Sequence, residues 1–195
     1  LLGFRKSILL GGFLMALGHF VLAIESDLTF YLALGFIVVG NGFFKPNIST
    51  FVAALYKEND PRKDSGFVIF YMGINIGGFI APLLCGWLGQ AYGWHYGFGL
   101  AGIGMLTGLM FFWSGIKKGV FQDKGLPPIS GRLDKIILGV SKDNWISILA
   151  FSSAPVIALM LASYKSLGEE GTFLGDQNVV NLLFKLIGNL VVFYL

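Results

Sequence analysis

The chain has 195 residues, 55% of them hydrophobic and only 13% charged, where an ordinary soluble domain carries about 25%. With a mean hydropathy of +0.73, that balance excludes a conventional water-soluble domain. The net charge of +3 is modest, and its cations sit between apolar runs, so it gives no ground for a nucleic-acid partner.

Apolar runs cover residues 7–24, 30–56, 65–92, 98–116 and 145–164, and another begins at 179. A helix crosses about 30 Å of hydrocarbon with about 17–25 residues, so these runs predict a polytopic, all-α transmembrane bundle. The first four are joined by the short links 25–27, 57–64 and 93–95, which predicts antiparallel neighbours in chain order. Asp60-Pro61 and Asp64-Ser65 read as helix starts.

Gly accounts for 28 residues, with small-residue pairs at Gly73/Gly77, Gly89/Gly93 and Gly104/Gly108 that suit close helix approach in lipid. The single cysteine, Cys85, excludes an internal disulfide and reads as a packing residue.

Lysine and arginine placement orients the spans. With the first residues in the cytoplasm, the inner links hold Arg5, Lys6, Lys57, Arg62, Lys63, Lys117, Lys118, Lys124, Arg132, Lys135 and Lys142, against Lys165 alone outside.

Residues 1–118 form a four-helix group, 119–143 a cytoplasmic linker broken by Gly125-Leu126-Pro127-Pro128, and 144–195 a second unit, a helical hairpin. The hairpin loop is acidic (Glu169, Glu170), and its second helix aligns Asn181, Lys185 and Asn189, a stripe for a partner helix or headgroups. Starting at Leu1 and ending within an apolar run, the chain reads as an internal piece of a longer protein.

Within the second span lies Gly40-Asn41-Gly42-Phe43-Phe44-Lys45-Pro46-Asn47. A cation at that depth costs about 2.5–3.5 kcal/mol on insertion scales, so Lys45 marks a functional position. Asn41, Lys45 and Ser49 share a face at spacings of four, as beside a hydrated pathway, and Pro46 frees a backbone carbonyl there. A structural ion pair with a helix outside this chain is the alternative. Snorkelling would have to span the eleven residues to Tyr56, about 16 Å.

On the third span, Phe67, Tyr71, Asn75, Gly78 and Pro82 form a second stripe. Its amide and phenol suit a polar ligand's carboxylate, amine or peptide bond, and equally suit interhelical hydrogen bonding. His19 has no acidic neighbour in sequence and reads as a packing histidine, while His95 reads as a turn residue. No metal-ligand spacing, phosphate-cradling loop or nucleophile–base pair appears, so nothing predicts an enzyme or a cofactor.

Gly40-x-Gly42-x-x-Lys45-Pro46 and Phe70-Tyr71-x-x-Ile74-Asn75-x-Gly77 resemble the proton-dependent oligopeptide transporter (POT) family of the major facilitator superfamily. Asp60-x-Arg62-x-Asp64-x-Gly66-Phe67 and Gly93-Trp94-His95-Tyr96-Gly97-Phe98 agree, and Leu2-Gly3-Phe4-Arg5-Lys6 is similar to the tail of the superfamily's loop motif. The resemblance covers residues 2–118.

It implies a major-facilitator-type fold in which the first four spans are helices three to six of the amino-terminal half, followed by an inserted two-helix hairpin. It implies symport of di- and tripeptides with protons by alternating access, in a bacterial inner membrane. Lys45 would bind the peptide carboxylate and couple to protons, Asn75 would contact the peptide backbone, and Tyr71 would line the pocket; Asn41, Ser49 and Phe67 would line the pathway. The partners implied are peptides, protons as coupling ion, the lipid bilayer and the remaining helices of the full-length protein. The family's first-helix Glu-x-x-Glu-Arg motif is not in this sequence. A family member carrying another small anionic solute, or a non-transporting membrane scaffold, is the alternative.

Overall fold

A computed structural model describes residues 2–127 and 142–166. It contains α1 (Phe4–Leu22), α2 (Asp27–Ala54), α3 (Arg62–Tyr92), α4 (Trp94–Lys117) and α5 (Lys142–Ser166), with no strand among the described residues. All five helices are long and apolar enough to cross a membrane. Each overlies a predicted apolar run but extends beyond it at one or both ends, because polar residues such as Arg62, Lys63 and Asp64 continue the backbone ladder. The sixth run, with Asn181, Lys185, Asn189 and the acidic loop before it, lies outside the described residues.

The core is a seam between α1 and α2, made close by glycine. A β-carbon on Gly11 would stand 2.6 Å from the Gly40 carbonyl oxygen, and one on Gly18 would stand 2.9 Å from that of Ala33. Such approach lets two backbones gain dispersion contacts that lipid tails cannot supply better. Leu14 and Ala16 of α1 and Ala33 of α2 are buried. Helix α4 packs on the other side of α1, where Leu109 covers Gly12 and Phe20 covers Gly102.

Two expectations need correction. Short links predict that α2 and α3 lie side by side, yet they touch over only a short stretch. Tyr56 lies against Gly66 near the turn that joins them. Beyond it α3 leans on α4, α2 takes α1 and α5 as neighbours, and every residue from 71 to 84 is exposed. A short link constrains the ends of two helices, not their whole length.

Two of the three glycine pairs are the second correction, while Gly89 of the third is buried against the Trp94 ring of α4. Gly73, Gly77, Gly104 and Gly108 face open space. The close α3–α4 approach is at Gly97, where a β-carbon would stand 2.5 Å from the Cys85 carbonyl oxygen. Gly93 serves the turn, at φ 118°, which a residue with a side chain adopts only under strain.

At the end where the first residues lie, the sequence's polar linker begins as packed structure. The Arg5 guanidinium donates to the carbonyls of Lys124 (2.7 Å), Phe121 (3.1 Å) and Gln122 and lies over the Phe121 ring. Phe121 in turn meets Phe51, which is 2% exposed, and Phe112, with centroid separations of 5.1 and 5.4 Å. The turn is thereby fixed to α1, α2 and α4 together.

Asp60 shows why α3 starts at Arg62. Its carboxylate accepts the Arg62 backbone N–H at 3.0 Å and the guanidinium at 3.1 and 2.9 Å. These hydrogen bonds, side chain first and backbone second, hold its pKa at about 2 instead of 3.8. The folded form keeps the charge to lower pH than the unfolded form, so this contribution is complete above the ordinary value and fades as pH falls toward about 2. Asp60→Asn should therefore lower thermal stability modestly near neutrality, change little near pH about 2, and so flatten the loss between those pH values, as melting curves in detergent from neutral to acid pH would show. An unchanged acid slope would refute this assignment.

Candidate functional site

The site is built on the middle of α2. Pro46 lacks an N–H, so the Gly42 carbonyl has no ladder partner there. Side chains crowd the same stretch: Asn47 Nδ2 donates to the Phe43 carbonyl at 2.7 Å, Ser49 Oγ to that of Lys45 at 3.3 Å, and Thr50 Oγ1 to that of Pro46 at 2.8 Å. Bonds of this kind compete with the helix's own and loosen or bend it. Lys45 thus sits where the backbone ladder of α2 is interrupted. The Pro46-Asn47-Ile48-Ser49-Thr50 string carried this signal, but its polar residues are easily read as pathway lining alone.

Three faces of α2 can be told apart. Ala33, Ile37, Gly40 and Phe44 meet α1, and Gly35 and Phe36 meet α5. Asn41 and Lys45 fall roughly 80–120° round the helix from the α1 seam, and both are exposed. Ser49 is half-buried, its hydroxyl held by the backbone. Among the described residues the Lys45 ammonium has neither an ion pair nor a hydrogen bond.

On α3, Tyr71 and Asn75 are exposed and Phe67 is half-buried. Phe67 and Tyr71 stack at 6.3 Å with their planes 26° apart, and Phe70 meets the Tyr71 ring edge-on at 5.6 Å. The phenol is thus oriented by two neighbours on its own helix.

A cavity of 760 Å³ lies among α1, α2, α3 and α4, but it is apolar, with Phe44, Ile48, Ile80, Leu84 and Leu109 in its wall. Lys45, Tyr71 and Asn75 do not line it. Its polar side chains are His19 and Cys85, and the His19 Nδ1 is engaged with the Met15 carbonyl at 2.7 Å. A zwitterionic solute would find little there to replace its hydration. The polar stripes of α2 and α3 therefore present surfaces outside the apolar cavity.

At the opposite end of the bundle, His95 is more than a turn residue. Its Nδ1 lies 3.0 Å from Glu25 Oε1, tying the α1–α2 turn to the start of α4. Seventy residues of separation hide that pairing from the sequence. The same holds for the Arg5 carbonyl clamp, whose partners are 116–119 residues away. No group of three or more metal-ligating side chains occurs among the described residues.

Residues 5–141 match the sequence profile of the POT family. The chain belongs to the POT family. A peptide transporter of Yersinia enterocolitica is 52% identical over 115 residues, covering 57% of this chain and 22% of the relative. A di-/tripeptide transporter of Lactococcus lactis is 48% identical over 116 residues, covering 59% of this chain and 23% of the relative. The chain thus spans under a quarter of the curated relatives it matches.

Among solved structures, a POT peptide transporter in complex with alafosfalin is 39% identical with a TM-score of 0.63, covering 83% of this chain and 32% of that one. With five membrane-length helices, this POT chain is a multi-pass membrane protein with an all-α fold of the major facilitator type, in a family of transporters rather than enzymes.

Proposed function

We propose that this chain forms part of a proton-coupled symporter of di- and tripeptides, with Lys45 as the cation that receives the peptide carboxylate. The observation that carries the reading is the exposed Lys45 ammonium, unpaired among the described residues and placed beside Pro46 on the face of α2 that neither α1 nor α5 covers there. An ammonium group at membrane depth is stable there only beside water, an anion or an acid. Tyr71 and Asn75 supply a phenol and an amide on the next helix, suited to the peptide's backbone groups.

In this reading α1 to α4 are helices three to six of the amino-terminal half, and the facing wall of the site comes from the remaining helices of the full-length protein. Substrate sites in such folds lie between repeats near the bilayer midplane. The coupling needs no cofactor beyond the proton. An acid outside this chain competes with the peptide for Lys45. When protonated it releases the ammonium to the peptide; when deprotonated it reclaims the ammonium and the carboxylate leaves. Each ligand must bind the two states unequally for this exchange to drive alternation. The inner membrane of a bacterium, with its proton gradient, is the expected location.

The full-length protein in proteoliposomes should take up protons when a di- or tripeptide is added outside, and not when nitrate is added. Influx driven by nitrate alone would favour a carrier of another small anion. No influx with either would favour a non-transporting scaffold.

A further inference from the structure

Helix α5 lies outside the four-helix group, yet it makes one of the tightest contacts in the described chain. Ala150, Ala154 and Ala158 are 3%, 0% and 7% exposed, and a β-carbon added to Gly35 of α2 would collide with the Ala154 carbonyl oxygen. Such a carbon would also stand 3.3 Å from the Ala158 nitrogen. One turn back on α5, Phe151 wedges between Phe13 of α1 and Phe36 of α2, each ring centroid 6.3 Å away. The groups nearest Gly35 are backbone atoms, so the fit cannot adjust by a change of rotamer.

Gly35 and Phe36, the α2 residues so held, lie on the Asp27 side of Pro46. The other arm of α2 is held by Phe51 among Phe112 and Phe121. Between the two anchored arms lies the stretch where the backbone ladder is interrupted, and Lys45 stands in it. We infer that α5 is a brace that fixes the Asp27-side arm of α2, and that Gly35 and Phe151 are positioning residues for the Lys45 ammonium. The brace acts through α2 and touches no solute. Packed helix seams shift between discrete arrangements instead of deforming smoothly, so opening this one displaces the whole arm. The inference rests on the reading of Lys45 as the carboxylate-binding cation.

The test uses the full-length transporter in proteoliposomes and compares a dipeptide with its carboxyl-terminal amide as competitors for uptake. Gly35→Leu should reduce the preference for the free carboxylate by about tenfold, since small misplacements of a binding group carry penalties of that order or more. Phe151→Ala, which loosens the wedge without a collision, should reduce it in the same direction. Met110→Leu, on an exposed part of α4, should leave it unchanged. A purely structural role would weaken both competitors alike.

If Lys45→Ala erases the preference while Gly35→Leu and Phe151→Ala preserve it, the brace is wrong and the site reading stands. If Lys45→Ala also preserves it, the site reading is wrong. Should Gly35→Leu not fold, Phe151→Ala decides between these outcomes.

Discussion

Lys45→Ala in the full-length protein is expected to abolish proton-driven concentrative uptake of dipeptides, while downhill exchange of peptide across the membrane is partly retained. The size of the effect follows from the proposed setting of that charge, which is neither bulk water nor dry protein. Two unit charges 4 Å apart attract by about 4 kcal/mol at an effective dielectric near 20, and by about 1 kcal/mol in water. Losing an interaction of the larger size corresponds to roughly a thousandfold in affinity for the carboxylate. The coupling loss is separate: without the ammonium, the competing acid has no cation to reclaim, so its protonation no longer governs peptide release.

Lys45→Arg keeps the charge but changes a compact ammonium into a planar fork, so it should bind peptide and couple poorly. Radiolabelled dipeptide accumulation under an imposed proton gradient, beside counterflow without one, separates the two losses. Concentrative uptake at the normal rate by the alanine variant would end the case for Lys45.

Much of the fold is legible in the sequence. The five described helices overlie apolar runs because twenty or so consecutive apolar residues have few other ways to satisfy their backbone in lipid. Lys45 stood out because a cation in such a run is costly, and its neighbours Asn41 and Ser49 followed from helical spacing alone. What stayed hidden was which helix meets which.

Link length suggested an α2–α3 pair, and the structure gives α2 to α1 and α5. Contacts such as Arg5 with Phe121, or His95 with Glu25, join residues more than sixty positions apart and leave no periodic trace. Ala150, Ala154 and Ala158 of α5 recur at spacings of four, a pattern that only the structure singles out, because nothing in a single sequence says which glycine receives them.

Gly40→Leu should cost substantial stability, whereas Gly42→Leu, two residues further on, should cost little. Both glycines belong to the same short string, and sequence alone does not rank them. A β-carbon on Gly40 would stand 2.6 Å from the Gly11 carbonyl oxygen and 2.8 Å from the Met15 nitrogen, both backbone atoms of α1. One on Gly42 meets nothing within 4 Å.

Overpacking a fitted interior costs about 1–3 kcal/mol when side chains can move aside, and more when they cannot. At Gly40 the whole of α1 must retreat, which opens the seam, so a loss of at least about 3 kcal/mol is expected. Against a net stability of about 5–15 kcal/mol, that is enough to deplete the folded protein in the membrane. Melting temperature and monodisperse yield in detergent measure it directly. Equal melting temperatures for the two leucine variants would mean that the close α1–α2 approach is not what holds this bundle together.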